Sequence, residues 1–209
     1  MPDLARRVTA AIFLDRDGVL NVRAPEGRYI TGWGQFELLP GVDAALRELR
    51  RRDPEARLIV ITNQRGVARG LIDPASLEDL HRRMRVELNQ AGVDIDAVYV
   101  CPHEAESCDC RKPQPGLLRQ ALTDFPEIEP ERSALIGDSL ADLEAAQRFA
   151  CAAYLVGPSD RRRVVMAGAA SRGVPVAGEA ASLTALLRAY PISPRELGTG
   201  RLASAPGAG

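Results

Sequence analysis

Short runs of branched apolar residues alternate along the chain with longer stretches in which apolar residues recur at helical spacing. The apolar runs predict strands at residues 11–14, 57–62, 96–101, 133–138 and 151–156, with a short edge strand at 174–176. The helically spaced stretches predict helices at residues 41–52, 74–91, 116–125, 140–150 and 180–189. Strands and helices that alternate in this way form a parallel sheet with right-handed crossovers, so the pattern predicts a doubly wound, Rossmann-like α/β fold.

Two stretches show neither helical nor strand periodicity. Residues 21–40 contain several glycines and the only tryptophan, and we expect a loop or short hairpin there. Residues 193–209 are dominated by glycine, alanine, proline and serine, which predicts a disordered tail. Residues 1–192 suffice for one domain with its own core, and we expect no separate cap domain.

The charges of the chain are balanced, with 27 Lys and Arg against 28 Asp and Glu. A balanced surface does not favour binding to nucleic acid or to an anionic membrane. No apolar run is long enough to span a bilayer, and residues 1–9 lack the apolar core of a signal peptide. We therefore expect a cytoplasmic monomer whose partner is a small molecule, and in that reduced compartment the four cysteines should not pair as disulfides.

Two carboxylates, Asp15 and Asp17, follow the first predicted strand and precede Gly18. Side chains two residues apart on a strand point the same way, so these carboxylates would repel each other unless the chain bends or a cation lies close by. A divalent cation is the simplest resolution, and Gly18 suits a turn beneath it. The alternative is a polar strand end that runs into a turn.

Polar side chains also follow later predicted strands. Parallel strands place their carboxyl ends at one edge of the sheet, which is where open α/β sheets bind ligands. That edge collects Asp15, Asp17, Thr62, Asn63, Arg111, Lys112, Asp138 and Asp142. Together these residue types suit a phosphoryl group and a magnesium ion, which prefers oxygen ligands.

Phosphatase chemistry gives four of these side chains a role. Asp15 is ionised at neutral pH and could attack phosphorus to form an aspartyl phosphate. Asp17 could protonate the leaving alkoxide and then deprotonate the water that hydrolyses the intermediate. Lys112 would supply positive charge, and Thr62 a hydrogen-bond donor, to the phosphoryl oxygens.

Four motifs occur in the order found in a known superfamily. They are DxDG at 15–18, Thr62, Lys112 and GDxxxD at 137–142. The set resembles the haloacid dehalogenase-like phosphatases over residues 8–156. A receiver domain, which accepts a phosphoryl group without turnover, is a distant alternative, since it also combines acids, a threonine and a lysine on a doubly wound sheet. In receivers, however, the phosphorylated aspartate follows a later strand than the acidic pair.

The resemblance implies roles for the matching acids. It makes Asp15 the nucleophile and Asp17 the acid/base. It further implies a magnesium ion held by Asp15, Asp138 and the backbone carbonyl of Asp17. Asp142 is implied to support these ligands without binding the metal itself. The alternative is an exposed acid in the first turn of a helix.

Three cysteines and a histidine cluster after the third predicted strand. The segment CPHEAESCDC offers Cys101, His103, Cys108 and Cys110, which form a complete tetrahedral set for structural zinc. Reduced cysteines without a ligand, or a redox pair, are the alternatives. A zinc-bound loop here would position the phosphate-binding lysine that follows it.

Cys151 and His81 are the remaining candidate metal ligands. Cys151 lies in a predicted buried strand, where a thiol usually packs as a small apolar group. His81 lies on the predicted helix at 74–91, and we expect it at the surface without a catalytic role.

A zinc loop within such a phosphatase resembles one subgroup, the heptose 1,7-bisphosphate 7-phosphatases and the histidinol-phosphatase domains. The segments DRDGVLN (15–21), NQRGVARG (63–70) and CRKPQPG (110–116) are similar to the heptose enzymes. This resemblance implies hydrolysis of the 7-phosphate of D-glycero-D-manno-heptose 1,7-bisphosphate in nucleotide-activated heptose biosynthesis. Histidinol phosphate or another small sugar phosphate is the alternative substrate.

Substrate contacts are expected beside the phosphoryl site. The resemblance implies contacts from Asn63 and Gln64. Arg69 and Arg111 add cationic groups beyond what one phosphate needs, which suits a second phosphate, although Arg69 could instead be a surface residue. Two departures from the heptose enzymes leave the substrate and its anomer open. The zinc loop has only four residues between its histidine and its second cysteine, which is closer to the length in histidinol phosphatases, and Ser139 stands where the heptose enzymes often carry lysine.

Overall fold

The computed structural model describes residues 9–190 and residue 192, and its strands form one six-stranded sheet. The strands are Ala11–Leu14 (β1), Arg57–Asn63 (β2), Ala97–Cys101 (β3), Ala134–Gly137 (β4), Ala152–Val156 (β5) and Gly178–Ala180 (β6). Their order across the sheet is β3-β2-β1-β4-β5-β6, and every neighbouring pair is parallel. The predicted doubly wound parallel fold is therefore confirmed.

Helices cover both faces of this sheet. They are Val42–Arg52 (α1), Pro74–Gln90 (α2), Gly116–Asp124 (α3), Leu140–Phe149 (α4), Ser159–Ser171 (α5) and Leu183–Ala189 (α6). Short 3-10 turns lie at Trp33–Gln35 and Pro130–Arg132. Helix α2 begins where predicted because proline suits the first helical turn and the Asp73 side chain accepts a hydrogen bond from the backbone N–H of Ser76 at 2.9 Å.

The core has one layer on each face of the sheet. In β1, Ile12 and Leu14 face the layer that holds α1, α2 and α6, whereas Ala11 and Phe13 face the layer that holds α3, α4 and α5. All four side chains are at most 1% exposed. Because a central parallel strand is buried on both faces, its polar groups can follow only at its ends.

The chain after β5 differs from the prediction. The prediction lacks α5, because this helix buries only Ala169 and has no apolar stripe. Strand β6 lies at Gly178–Ala180 and not at 174–176, where Val174 is instead a buried residue of the connection. The last helix begins at Leu183 and not at 180, because the Ser182 side chain accepts a hydrogen bond from the backbone of its first turn.

Residues 21–40 lie in a loop, as predicted, and Asn21 and Leu38 form an isolated bridge across its ends. Within residues 9–190, no separate cap domain interrupts the sheet and its helices. None of the helices described is both long and apolar enough to cross a membrane. The predicted tail at 193–209 lies outside the described residues.

Candidate active site

The carboxyl ends of β1, β2 and β4 open onto a cavity of about 600 Å³. Its lining contains most of the predicted site residues, namely Asp15, Asp17, Thr62, Asn63, Gln64, Arg111, Lys112, Asp138 and Asp142. These residues are far apart in the sequence. The parallel sheet brings them together at the edge where open α/β folds bind their ligands.

Lys112 is buried, and its ammonium group lies between two carboxylates. Its Nζ lies 2.8 Å from Oδ1 of Asp15 and 2.6 Å from Oδ1 of Asp142, and it donates to the carbonyl of Ile61 at 3.0 Å. Burial lowers the pKa of Lys112, but the charges of Asp142 and Asp15 outweigh burial and hold the pKa above its ordinary value. The lysine is therefore charged where it contacts Asp15.

Three acids crowd together beside this lysine. Carboxylate oxygens of Asp15, Asp138 and Asp142 lie within 4.8 Å of one another. Burial raises the pKa of Asp15 to about 7, Lys112 opposes that rise, and the three neighbouring acids add to it. Oδ1 of Asp138 is buried and has no hydrogen-bond partner among the described residues. Crowded acids with an unpartnered oxygen fit a divalent cation with oxygen ligands.

Two glycines let these acids approach so closely. Gly18 has a φ of 93°, a conformation in which other residues are strained, and a Cβ there would lie 2.2 Å from Oδ2 of Asp138. A Cβ on Gly137 would lie 2.2 Å from the Cβ of Asp142. A larger residue at either position would displace a carboxylate from the site.

Asp17 is fixed by several donors. The Nη2 of Arg16 donates to both of its carboxylate oxygens at 3.0 and 2.9 Å. Nδ2 of Asn21 donates to Oδ1 at 3.0 Å, and Nε2 of Gln64 donates to Oδ2 at 2.9 Å. Burial raises the pKa of Asp17, but the charge of Arg16 and these hydrogen bonds hold the pKa below its ordinary value. Gln64 also donates to Oγ1 of Thr62 at 2.8 Å, which links the two predicted catalytic side chains.

The side-chain amide of Asn63 both donates a hydrogen bond to the backbone of Lys112 and accepts one from it. Its Nδ2 donates to the carbonyl of Lys112 at 3.0 Å, and its Oδ1 accepts from the N–H of Lys112 at 3.1 Å. Asn63 lines the cavity, as its predicted substrate contact requires, but its amide is already hydrogen-bonded to the backbone of Lys112. The geometry therefore assigns Asn63 a part in holding the lysine in place.

Asp142 lies at the amino end of α4. Its Oδ2 accepts hydrogen bonds from the N–H and the Oγ of Ser139 at 3.1 and 2.5 Å. The side chain is 1% exposed, so the alternative of an exposed acid in a helical turn is wrong. The same carboxylate caps the helix and holds the ammonium group of Lys112.

Arginines surround the cavity in greater number than predicted. They are Arg23, Arg28, Arg65, Arg111 and Arg161. Nη1 of Arg23 donates to Oδ2 of Asp138 at 2.5 Å, whereas Nη1 of Arg111 is buried without a partner among the described residues. Arg23 lies in the loop at 21–40. Because that loop follows the first acids closely in the sequence, the position of Arg23 at the cavity could have been predicted. Arg161 lies on α5, for which the apolar pattern contains no signal.

Two residues do not lie where predicted. Arg69 is not among the described residues that line the cavity, and its Nε donates to Oε2 of Glu104 at 2.8 Å, which favours the surface alternative. The prediction that His81 lies at the surface is wrong, because it is 7% exposed and its Nε2 lies 3.0 Å from Nη1 of Arg16. A buried guanidinium needs acceptors, and His81 provides one.

The predicted zinc ligands converge in the loop after β3. The Sγ of Cys108 lies 3.6 Å from the Sγ of Cys101 and 3.2 Å from the Sγ of Cys110, and Nδ1 of His103 lies 3.2 Å from the Sγ of Cys110. With zinc–sulfur bonds of about 2.3 Å, tetrahedral thiolates lie roughly 3.7 Å apart, so the cluster has the dimensions of a zinc site. Cys151 instead packs against the core, as predicted.

Comparisons with known proteins agree with this geometry. The profile of the HAD-hydrolase-like family matches residues 109–183. The D-glycero-α-D-manno-heptose-1,7-bisphosphate 7-phosphatase of Mycobacterium bovis is 44% identical over 164 residues, which cover 78% of this chain and 82% of the relative. The corresponding enzyme for the β anomer from Escherichia coli K12 is 41% identical over 144 residues, which cover 65% of this chain and 72% of the relative.

A solved structure is similar over most of the fold. It is the D,D-heptose 1,7-bisphosphate phosphatase from B. bronchiseptica in complex with magnesium and phosphate. The two structures superpose with a TM-score of 0.75 at 33% sequence identity, and the match covers 86% of this chain and 97% of the other.

Proposed function

We propose, since this chain belongs to the HAD-like family of heptose-1,7-bisphosphate 7-phosphatases, that it hydrolyses the 7-phosphate of D-glycero-D-manno-heptose 1,7-bisphosphate. The contact of Lys112 with both Asp15 and Asp142, beside Asp138, is the observation that carries this proposal. It combines a buried nucleophile, a fixed positive charge and ligands for a cation. We assign the reaction to a single domain of residues 1–192. We further propose that the reaction belongs to nucleotide-activated heptose biosynthesis.

Asp15 acts in the first step. It does so as a carboxylate, because Lys112 lowers its pKa against the effect of burial and a bound divalent cation would lower it further. One of its oxygens forms a bond to phosphorus while the bond from phosphorus to the sugar oxygen breaks, which leaves an aspartyl phosphate. Lys112, whose Nζ lies 2.8 Å from this carboxylate, offsets the negative charge of the phosphoryl oxygens. A magnesium ion held by Asp15, Asp138 and the backbone carbonyl of Asp17 would, when bound, supply further positive charge to those oxygens.

Asp17 moves the proton in both steps. In the first step it gives a proton to the sugar alkoxide as that group leaves. In the second, its carboxylate takes a proton from the water that attacks the aspartyl phosphate, which releases phosphate and restores Asp15. The lowered pKa of Asp17 suits the second step at neutral pH. For the first step, the negative charge of an arriving phosphate raises the pKa of Asp17 and favours its protonation.

The cationic lining supports a substrate with two phosphates. Lys112 is engaged with the acids at the reacting phosphate, whereas Nη1 of Arg111 is buried without a partner among the described residues. We therefore assign Arg111 to the second phosphate, since a guanidinium suits the oxygens of a phosphate group. Arg69 keeps its ion pair with Glu104 in this proposal and does not reach the substrate.

We assign a structural zinc ion to Cys101, His103, Cys108 and Cys110. The dimensions of the cluster support this assignment, and four protein ligands leave no open position for catalysis. The chain passes from the last ligand to Lys112 within two residues. Zinc would thus reduce the freedom of the loop that carries the catalytic lysine.

Relatives named for each anomer are similar to this chain, so both anomers are candidate substrates. The mycobacterial relative named for the α anomer aligns over 164 residues, whereas the E. coli relative named for the β anomer aligns over 144. Histidinol phosphate is the second candidate substrate, because only four residues separate His103 from Cys108.

The test compares kcat/KM, with magnesium, for both heptose bisphosphate anomers, histidinol phosphate and fructose 1,6-bisphosphate. A preference of about a hundredfold for a heptose anomer, roughly 2.7 kcal/mol of transition-state stabilisation, would support the proposal. Asp15→Asn protein prepared in parallel reports any contaminating phosphatase and should be inactive. A preference for histidinol phosphate would replace the heptose assignment, and stable phosphorylation of Asp15 without turnover would support the receiver alternative.

A further inference from the structure

Arg16 lies between the two catalytic acids in the sequence, and its side chain is only 1% exposed. One side of its guanidinium faces Asp17, to which Nη2 donates at 3.0 and 2.9 Å and Nε at 3.3 Å. The other side faces α2, where Nη1 lies 3.0 Å from Nε2 of His81. The guanidinium therefore connects the acid/base carboxylate to a helix on the outside of the sheet.

The contact between Arg16 and His81 defines the state of the imidazole. A guanidinium can only donate hydrogen bonds, so Nε2 of His81 must accept and its proton must lie on Nδ1. Burial and the charge of Arg16 both lower the pKa of His81, to about 3, so the ring is neutral under ordinary conditions. A neutral acceptor can bind the buried guanidinium without charge repulsion.

His81 is held rigidly. It lies two turns into α2, which Asp73 caps and which packs through Leu77, Leu80, Met84 and Leu88. His81 does not line the catalytic cavity among the described residues, so it does not contact substrate there. It lines instead a groove between α2 and the edge strand β3. His81 can therefore affect Asp17 only indirectly, through Arg16.

We propose that His81 is a positioning residue for catalysis, which fixes the guanidinium of Arg16 so that Arg16 holds the Asp17 carboxylate in the orientation needed for proton transfer. This proposal rests on the acid/base role of Asp17 in the proposed function. Without the acceptor, Nη1 of Arg16 is buried without a partner, and the side chain is expected to turn toward another acceptor. Asp17 then loses its bidentate partner, whereas the contact of Lys112 with Asp15 remains.

The test compares variants of His81 in the full chain. His81→Leu removes the acceptor at similar volume, and His81→Gln restores an acceptor oxygen. We expect His81→Leu to lower kcat about 10- to 100-fold with little change in KM, since general acid/base catalysis contributes about 10²- to 10⁴-fold. We expect His81→Gln to recover most of the lost kcat.

Leu88→Ala is the matched control, because Leu88 is buried on the same helix two turns after His81 and has an apolar side chain that cannot accept a hydrogen bond. It should lower Tm and leave kcat unchanged. The proposal is overturned if His81→Leu and His81→Gln lose the same activity, or if their kcat values equal that of the unmodified protein. It is also overturned if the loss of kcat in the His81 variants follows Tm alone, as a merely structural role would require.

Nitrogen-15 NMR of the imidazole gives a readout that needs no substrate. We expect Nδ1 of His81 to be protonated and Nε2 to be an acceptor, with the Nε2 signal shifting toward the free-acceptor position in Arg16→Met. A proton on Nε2 would overturn the contact itself, even if heptose bisphosphate is the substrate. If the expected tautomer is found but no sugar phosphate is hydrolysed, the proposed function fails while the bond between His81 and Arg16 stands.

Discussion

Nζ of Lys112 lies 2.6 Å from Oδ1 of Asp142, so an acid in the first turn of α4 holds the ammonium group that contacts the nucleophile. Asp142→Asn keeps the shape of this side chain and its capacity to cap α4, but it removes the negative charge. Lys112 then loses its shorter contact and is positioned only by Asp15 and the carbonyl of Ile61.

We expect Asp142→Asn to lower kcat/KM about 10- to 100-fold, which is less than the roughly 10²- to 10³-fold lost when a transition-state donor is removed outright, because Lys112 itself remains. Circular dichroism should show the fold retained. Asp160→Asn is the control, since Asp160 is an exposed acid in the first turn of another helix, α5. Equal activity of the two variants would contradict a role for Asp142 behind the lysine.

Gly18→Ala should weaken magnesium binding. The added Cβ would lie 2.2 Å from Oδ2 of Asp138 and would push this carboxylate out of the group of acids. Titration calorimetry should show magnesium affinity reduced by about tenfold or more. Gly27→Ala separates this effect from backbone strain, because Gly27 also has a positive φ, of 75°, but open space around its Cα. Equal losses in the two variants would mean that strain alone is responsible.

Arg111→Ala should impair a bisphosphate substrate more than a monophosphate. A hydrogen bond to a charged group contributes about 1.5–3 kcal/mol, so kcat/KM for the bisphosphate should fall about 10- to 100-fold. Steady-state kinetics with heptose 1,7-bisphosphate and heptose 7-phosphate measures the difference. Arg69→Ala should change neither, because Arg69 pairs with Glu104. An equal effect of Arg111→Ala on both substrates would assign Arg111 to the reacting phosphate instead.

Cys108→Ala should remove zinc from the protein and lower its Tm. Elemental analysis of the unmodified chain should find one zinc ion per molecule, and the variant should contain much less. Cys151→Ala should retain the metal, because Cys151 packs against the core away from the cluster. Unmodified protein that is purified without chelator and contains no zinc would rule out the assignment.

Asp96 lies just before β3, at the end of the sheet opposite the cavity. We expect it to make the stability of the protein depend on pH. Arg50 and Arg57 donate to it at 2.8 and 3.0 Å, and the N–H of Leu58 donates at 2.8 Å. Burial raises the pKa of Asp96, but these donors outweigh burial and hold it below 3.8. A lowered folded pKa means that the stabilisation is complete above 3.8 and is lost as the pH falls through the folded value.

Asp96→Asn should therefore lower the free energy of unfolding at pH 7 by about 1.5–3 kcal/mol. The difference from the unmodified protein should shrink as the pH falls below 3.8. Urea unfolding at a series of pH values measures it. Asp94→Asn, at an exposed neighbouring position, should have little effect at any pH. A difference for Asp96→Asn that does not vary with pH would show that charge is not its origin.

The central strands were the part of the fold that the sequence could predict. Strands β1 and β2 are buried on both faces, so their residues form uninterrupted apolar runs, and β2 ends within one residue of the predicted boundary. Helix α5 could not be predicted in this way, since a helix with one buried residue has no apolar stripe. Arg161, which α5 carries into the cavity, was missed for the same reason.

The candidate site shows a similar division. Asp15 follows β1 directly and Asp138 follows β4 directly, so the parallel topology alone brings them to one edge. His81 and Arg69 depend on contacts between side chains of separate segments, and no spacing in the sequence encodes such contacts. The buried position of His81 becomes understandable only once Arg16 is seen to need an acceptor.

The central position of β1 also determines where the molecule can open. Backbone hydrogen bonds join β1 to β2 on one side and to β4 on the other. Amide protons in such a strand exchange with solvent only when the sheet as a whole comes apart, whereas exposed loops exchange by local opening. We therefore expect the strand that carries Asp15 to lose protection last, whereas the loop at 21–40, which lines part of the cavity, should open earlier.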